Sequence, residues 1–226
     1  MDKKKAPQTK SQRKMLSYQD IFHFVPNYIG YIRIFLASIA VCCMYAELPH
    51  LAVVSYALSE LFDAADGYFA RKLNQCSKFG EVLDMITDRC TTTVLLVYLA
   101  QLYKPIAVVY CFLISVDISS HYMQMYASLI SGVSNHKQMD FSSYPILKAY
   151  YTNRNVLFWV CFGNEAFFIL SYYQHYLTGY PRYFILSLLV ISSPVFALKN
   201  IINIIQLFVA SKQLATHDAT LANKAK

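Results

Sequence analysis

Residues 63–88 read Asp63-Ala64-Ala65-Asp66-Gly67-Tyr68-Phe69-Ala70-Arg71, eight further residues, then Gly80-Glu81-Val82-Leu83-Asp84-Met85-Ile86-Thr87-Asp88. Asp63 and Asp66 stand at i, i+3 and Asp84 and Asp88 at i, i+4, so each pair falls on one face of a helix. The joint between the pairs is short. It makes the two helices antiparallel neighbours and lets four carboxylates meet at one depth. Six of the chain's 13 acids lie between residues 60 and 88: Glu60, Asp63, Asp66, Glu81, Asp84 and Asp88.

The surroundings of this stretch are not those of a soluble domain. Of 226 residues, 56% are apolar and 15% charged, against about 25% charged in an average soluble protein. Tyr and Phe number 19 and 15. This composition excludes disorder, collagen-like sequence and a disulfide scaffold. Six apolar segments run roughly over 28–47, 50–70, 80–101, 105–130, 155–175 and 181–210, and about 20 residues suffice for one membrane span. The expected fold is an all-α integral membrane protein with six transmembrane helices and no separate soluble domain. Residues 1–24 read as an N-terminal tail, 25–210 as the six-helix membrane domain and 211–226 as a C-terminal tail. In the first tail, Leu16, Phe22 and Phe24 suit either an interfacial helix or a plain linker.

The net charge of +7 is read as topology before it is read as nucleic-acid binding, and no nucleic-acid partner is expected. Fifteen Lys and Arg fall in the two tails and the second-to-third and fourth-to-fifth joints. The other joints hold only Lys104 and Arg182, while Arg33, Arg89 and Lys199 lie within apolar segments. The asymmetry puts both termini on the cytoplasmic side. Met1-Asp2-Lys3-Lys4-Lys5 is not followed by an apolar core, so no cleaved signal is expected. Cys42, Cys43, Cys76, Cys90, Cys111 and Cys161 form no metal spacing and read as small apolar packing residues.

Carboxylates inside a membrane segment need a partner, and four together repel strongly at low dielectric. Arg71 and Arg89 are too few to neutralise Asp63, Asp66, Asp84 and Asp88. Oxygen-only ligation favours Mg²⁺ or Mn²⁺ over zinc. Four bridging acids suit a two-metal site that clamps a phosphoryl group. Gly67, Ala70 and Gly80 either let the helices pack closely or open a slot for a flat ligand such as a nucleobase.

Taken whole, the stretch resembles the signature of the CDP-alcohol phosphotransferase family at all eight of its positions and every spacing. The resemblance implies a six-helix membrane fold, usually dimeric, with two Mg²⁺ or Mn²⁺ ions at the cytoplasmic boundary. Its members break the diphosphate of a CDP-linked substrate, pass one phosphoryl half to an alcohol and release CMP. By this resemblance Asp63, Asp66, Asp84 and Asp88 hold the metals and Asp88 is also the general base. Gly67, Ala70, Arg71 and Gly80 receive the cytidine diphosphate.

Further blocks resemble the family's phosphatidylinositol-forming branch in fungi. They are Val25-Pro26-Asn27-Tyr28-Ile29-Gly30-Tyr31-Ile32-Arg33, Asp117 through Leu129, Tyr150 through Phe158, and Asn164-Glu165. Gly30 stands where many family members carry Thr. The branch implies CDP-diacylglycerol and myo-inositol as substrates, phosphatidylinositol and CMP as products, a homodimer, and the endoplasmic reticulum with the active site facing the cytoplasm. The Golgi and the mitochondrial outer membrane are alternatives. A neutral polyol needs a ring of donors and acceptors. Asp117, His121 and Gln124 share a helix face, and Arg154, Asn164 and Glu165 are further candidates; the alternative is that these groups satisfy one another.

Two other function classes bear comparison with this one. A cation channel or transporter predicts acids at the bilayer midplane and repeated halves, and no repeat is found. A sister enzyme using serine or glycerol phosphate stays open, because Lys137, Lys148 and Arg154 in the fourth-to-fifth joint are basic.

Overall fold

The computed structural model describes residues 16–130 and 144–225. The basic stretch up to Lys14, the part of the fourth-to-fifth joint with Lys137, and Lys226 lie outside the described residues. Every regular element among the described residues is helical: α1 (Tyr18–Phe22), α2 (Val25–Tyr45), α3 (Pro49–Lys72), α4 (Lys78–Leu102), a 3₁₀ turn (Lys104–Ile106), α5 (Ala107–Ile130), α6 (Pro145–Thr152), α7 (Arg154–His175) and α8 (Gly179–Lys224).

Local chemistry sets the corners. At the end of α2 the Glu47 N–H donates to the Met44 carbonyl and Leu48 N–H to Cys43, with Glu47 in the left-handed region at φ 56°. Pro49 then opens α3. The α3 end repeats the motif: Asn74, at φ 54°, donates to Arg71 and Gln75 to Ala70. Both are Schellman closures, which satisfy carbonyls that a helix end leaves free. Ser77 caps α4 by accepting from the Gly80 N–H. Only five residues separate the helix holding Asp63 and Asp66 from the one holding Asp84 and Asp88, so the two acid pairs come together at this hairpin.

The exterior of the bundle is apolar, and its interior holds polar groups beside an apolar core around Met44, Leu95, Leu99 and Phe168. Arg33, Ser59, Gln124, Lys199, Asn203 and Gln206 are buried, while Val108, Phe112, Trp159 and Ile191 are each more than 60% exposed. So large an exposed apolar surface departs from the pattern of a water-soluble domain and fits a lipid-facing exterior. Four helical segments are long and apolar enough to cross a membrane: Val25–Tyr45, Lys104–Ile130, Arg154–His175 and Gly179–Lys224. At 24 and 25 residues, α3 and α4 are long enough for a hydrocarbon layer of about 30 Å. Their charged residues keep them outside that set.

The last helix does not stop at residue 210. It runs 46 residues to Lys224, because neither Gly nor Pro follows Pro194. Pro194 lacks the N–H that would bond the Val190 carbonyl, and the Ser193 hydroxyl donates to that carbonyl instead at 2.8 Å. The six cysteines are free thiols. Cys43 and Cys161 are half-buried, and the other four lie on the outer surface rather than in the interior.

Helix α2 packs on α3 and α4, α4 also packs on α5, and α8 packs on α5 and α7. The α7–α8 contact is close at Gly163, where an added Cβ would lie 2.5 Å from Val195 Cγ1 and 2.9 Å from its Cβ. Gly163→Ala should therefore destabilise the bundle by about 1–3 kcal/mol, read as a lower melting temperature in detergent. Val195→Ala in the same chain should recover most of the loss. Equal melting temperatures for wild type and Gly163→Ala would contradict this approach of the two helices.

Candidate active site

Asp63 and Asp66 project from α3 and Asp84 and Asp88 from α4, as their spacing requires. What joins them comes from α2. Arg33, 1% exposed, places its guanidinium among all four. Nη1 donates to Asp66 Oδ2 at 2.9 Å and Asp84 Oδ1 at 2.5 Å. Nη2 lies 2.7 Å from Asp63 Oδ1 and donates to Asp88 Oδ1 at 2.5 Å. The side chains of Asp63, Asp84 and Asp88 are 41%, 44% and 30% exposed, so the cluster opens on one side, whereas Asp66 is nearly closed off.

One guanidinium against four carboxylates leaves the centre short of positive charge. Asp63, Asp66 and Asp84 each offer an oxygen, and these three oxygens lie within 4.8 Å of one another. An oxygen-only set with excess negative charge fits a hard divalent cation. Asp88 stands beside this trio, with its second oxygen 3.7 Å from Arg89 Nη2.

The remaining signature residues divide. A Cβ on Gly67 would lie 3.3 Å from Arg71 Nη1, so the Arg71 guanidinium folds back over that glycine. Gly80 instead meets α2: a Cβ there would lie 2.7 Å from Asn27 Oδ1. Asn27 is buried and donates through Nδ2 to the Ile21 carbonyl. The smallness of Gly80 thus serves helix approach. Ala70 contributes its carbonyl to the α3 closure.

Behind the acids lies a second polar layer. Arg89 Nη1 donates to Asp117 Oδ1 at 2.8 Å and lies 3.1 Å from His121 Nε2. Asn203 on α8 donates to the same Asp117 oxygen at 3.1 Å and accepts from Lys199 Nζ at 2.7 Å. Glu165 accepts from Tyr56 at 2.7 Å, from Asn164 at 3.2 Å and from Thr92 at 3.3 Å. A small cavity touching Thr92, Asp117, Asn164, Asn200 and Asn203 lies between these groups. The structure therefore brings Asp117 and His121 together on Arg89, and Asn164 and Glu165 together beside Thr92. Gln124 is buried one turn beyond His121, and Arg154 is exposed at the first residue of α7, nearly three turns before Asn164.

Arg33, Arg89, Lys199 and Asn203 did not enter the site from spacing. For the three cations a signal existed: a basic residue inside an apolar segment needs an internal partner.

A profile described as CDP-alcohol phosphatidyltransferase matches residues 23–180. This chain belongs to that family. Among curated relatives in the family, the chain is 47% identical over 209 residues to a Candida albicans protein, covering 92% of this chain and 88% of the other. It is 42% identical to a human one, covering 92% and 98%, and 37% identical to one from Saccharomyces cerevisiae, covering 95% and 96%. All three are named CDP-diacylglycerol–inositol 3-phosphatidyltransferase. No solved structure matches the chain.

Within this phosphatidyltransferase the Arg89–Asp117 pair should be a strong internal tie. Asp117→Ala leaves the Arg89 charge without its nearest acid, and such a loss costs about 3 kcal/mol or more. The melting temperature in detergent should fall accordingly, and by less for Asp117→Asn. A melting temperature unchanged in Asp117→Ala would contradict the pairing.

Proposed function

We propose that this chain is a phosphatidylinositol synthase, transferring the phosphatidyl group of CDP-diacylglycerol to myo-inositol and releasing CMP. The observation that carries the reading is the convergence of Asp63, Asp66, Asp84 and Asp88 from two helices on one open-sided centre. Relatives of 37–47% identity that carry this activity's name over most of both chains support it.

In this reading Asp63, Asp66, Asp84 and Asp88 hold two Mg²⁺ or Mn²⁺ ions. Bound cations of this kind would neutralise the diphosphate and stabilise the leaving CMP. Arg71 contributes a bidentate contact to a phosphate, and Gly67 and Ala70 leave room for the cytidine, while Gly80 lets α4 approach Asn27 of α2. An inositol hydroxyl oxygen attacks the phosphorus that bears diacylglycerol, the bond between the two phosphorus groups breaks, and CMP departs. Asp88 accepts the hydroxyl proton, a role set by geometry before basicity. Asp117, His121, Gln124, Asn164 and Glu165 form the polyol pocket, with Arg154 at its approach. These groups are hydroxyl-matching amides, acids and an imidazole, as a neutral acceptor requires.

The same reading takes α3 and α4 as spans whose charges face the bundle interior. With the four apolar segments they make six, with both termini cytoplasmic. Residues 1–24 then form a tail with α1 at the headgroup level, 25–210 the catalytic membrane domain, and 211–226 a cytoplasmic tail into which α8 continues as far as Lys224. The working unit is a homodimer in the endoplasmic reticulum, with the Golgi and the mitochondrial outer membrane as alternative sites.

Purified protein with CDP-diacylglycerol and Mg²⁺ or Mn²⁺ should release CMP when myo-inositol is added, and not with serine or glycerol phosphate. Excess chelator should abolish release. Release driven by another acceptor would replace this reading with that of a sister enzyme, and full activity in chelator would remove the cations. Asp88→Asn should still bind CDP-diacylglycerol while turnover falls roughly 10²-fold or more; near-normal turnover would dismiss Asp88 as the base. Cysteines introduced near Lys148 should label from the cytoplasmic side and those near Lys104 or Arg182 should not. The reverse pattern would overturn the six-span arrangement.

A further inference from the structure

Arg33 is the least solvent-exposed charged residue among the described residues. Its fork meets each of the four aspartates through a single oxygen: Asp63 Oδ1, Asp66 Oδ2, Asp84 Oδ1 and Asp88 Oδ1. Arg33 therefore takes only one oxygen of each aspartate, and the second oxygen of Asp88 lies 3.7 Å from Arg89 Nη2. The arginine is itself anchored, since its backbone carbonyl accepts from the Ser59 hydroxyl of α3 at 3.1 Å. Arginine suits this position as lysine does not. Its charge is permanent, and its planar fork presents several donors at fixed angles.

We propose that Arg33 is a positioning residue for the cation site, acting as its built-in counterion and template. Without divalent cations it offsets part of the charge of the four aspartates and keeps α3 and α4 in register. With them, it holds one oxygen of each aspartate and leaves the open side of the cluster to the cations. Groups behind metal ligands commonly set ligand orientation in this way. The inference rests on the cation-dependent reading of the site given above.

The test is the melting temperature of the full chain in detergent, in excess chelator and across a Mg²⁺ or Mn²⁺ titration. Wild type, Arg33→Met and Arg33→Lys are compared. In chelator, Arg33→Met exposes four carboxylates to one another and should melt about 10 °C below wild type. Divalent cations should close most of that gap, so the cation-induced shift is larger in Arg33→Met than in wild type. Arg33→Lys restores the charge without the four contacts and should fall between. If Arg33→Met alone does not survive purification, the chain combining it with Asp63→Asn carries one carboxylate fewer and should survive.

A cation-induced shift in Arg33→Met no larger than in wild type would overturn the proposal. So would a double variant no more stable than the single one, since Arg33 would then act through packing alone. A shift in neither wild type nor variant would overturn the cation reading of the site together with this inference. A shift confined to wild type would overturn this inference only.

Discussion

Four carboxylates held against one buried guanidinium repel one another far more strongly than acids facing water do. Asp63, Asp66, Asp84 and Asp88 stay together because Arg33 reaches all of them from a third helix. The geometry of α2, α3 and α4 follows from that requirement. The Schellman closures at Glu47 and Asn74 turn the chain sharply enough to stack the three helices. Gly80 against Asn27, and Gly30 3.0 Å in prospective Cβ contact from Leu83, let α4 approach α2 closely enough for the guanidinium to arrive.

The rest of the bundle serves the same arrangement. An apolar exterior leaves the interior as the place where polar side chains find partners, and they find them in connected sets. One set runs from Arg89 through Asp117 and Asn203 to Lys199, linking α4, α5 and α8. The other gathers Tyr56, Thr92 and Asn164 around Glu165, linking α3, α4 and α7. The buried cations Arg33, Arg89 and Lys199 are thereby matched by acids or amides, as low-dielectric surroundings demand. These sets abut the four aspartates through Arg89, which follows Asp88 in the chain and lies 3.7 Å from it through space. In the function proposed above, that adjacency would couple the four aspartates to the wall of the acceptor pocket.

Much of this was legible in the sequence because it is local. The i, i+3 and i, i+4 spacings of the aspartates, and the short joint between them, specify one face and one depth without any knowledge of the fold. Asp117 and His121 likewise sit on one turn of α5. Long-range partners were hidden. Arg33 stands thirty residues before Asp63, and spacing alone does not say that α2 turns that side chain toward α3 and α4. Gly80 reads equally as space for a ligand or for a helix, and only the position of Asn27 distinguishes the two. Arg154 is exposed at the first residue of α7, ten residues before Asn164, a placement that spacing alone does not give. The length of α8 follows from an absence of helix-stopping residues, a weaker signal than the loss of hydropathy near residue 210.

The central claim is that four aspartates from two helices, organised by Arg33, form the cation-binding centre of the phosphatidyl transfer. Anomalous scattering from Mn²⁺ in crystals of the protein grown with CDP-diacylglycerol addresses it most directly. The account expects peaks bounded by Asp63, Asp66, Asp84 and Asp88, with oxygen ligands at about 2.0–2.2 Å as hard cations of this size require. Peaks elsewhere, with the four carboxylates still closed on Arg33 and no cation among them, would contradict it.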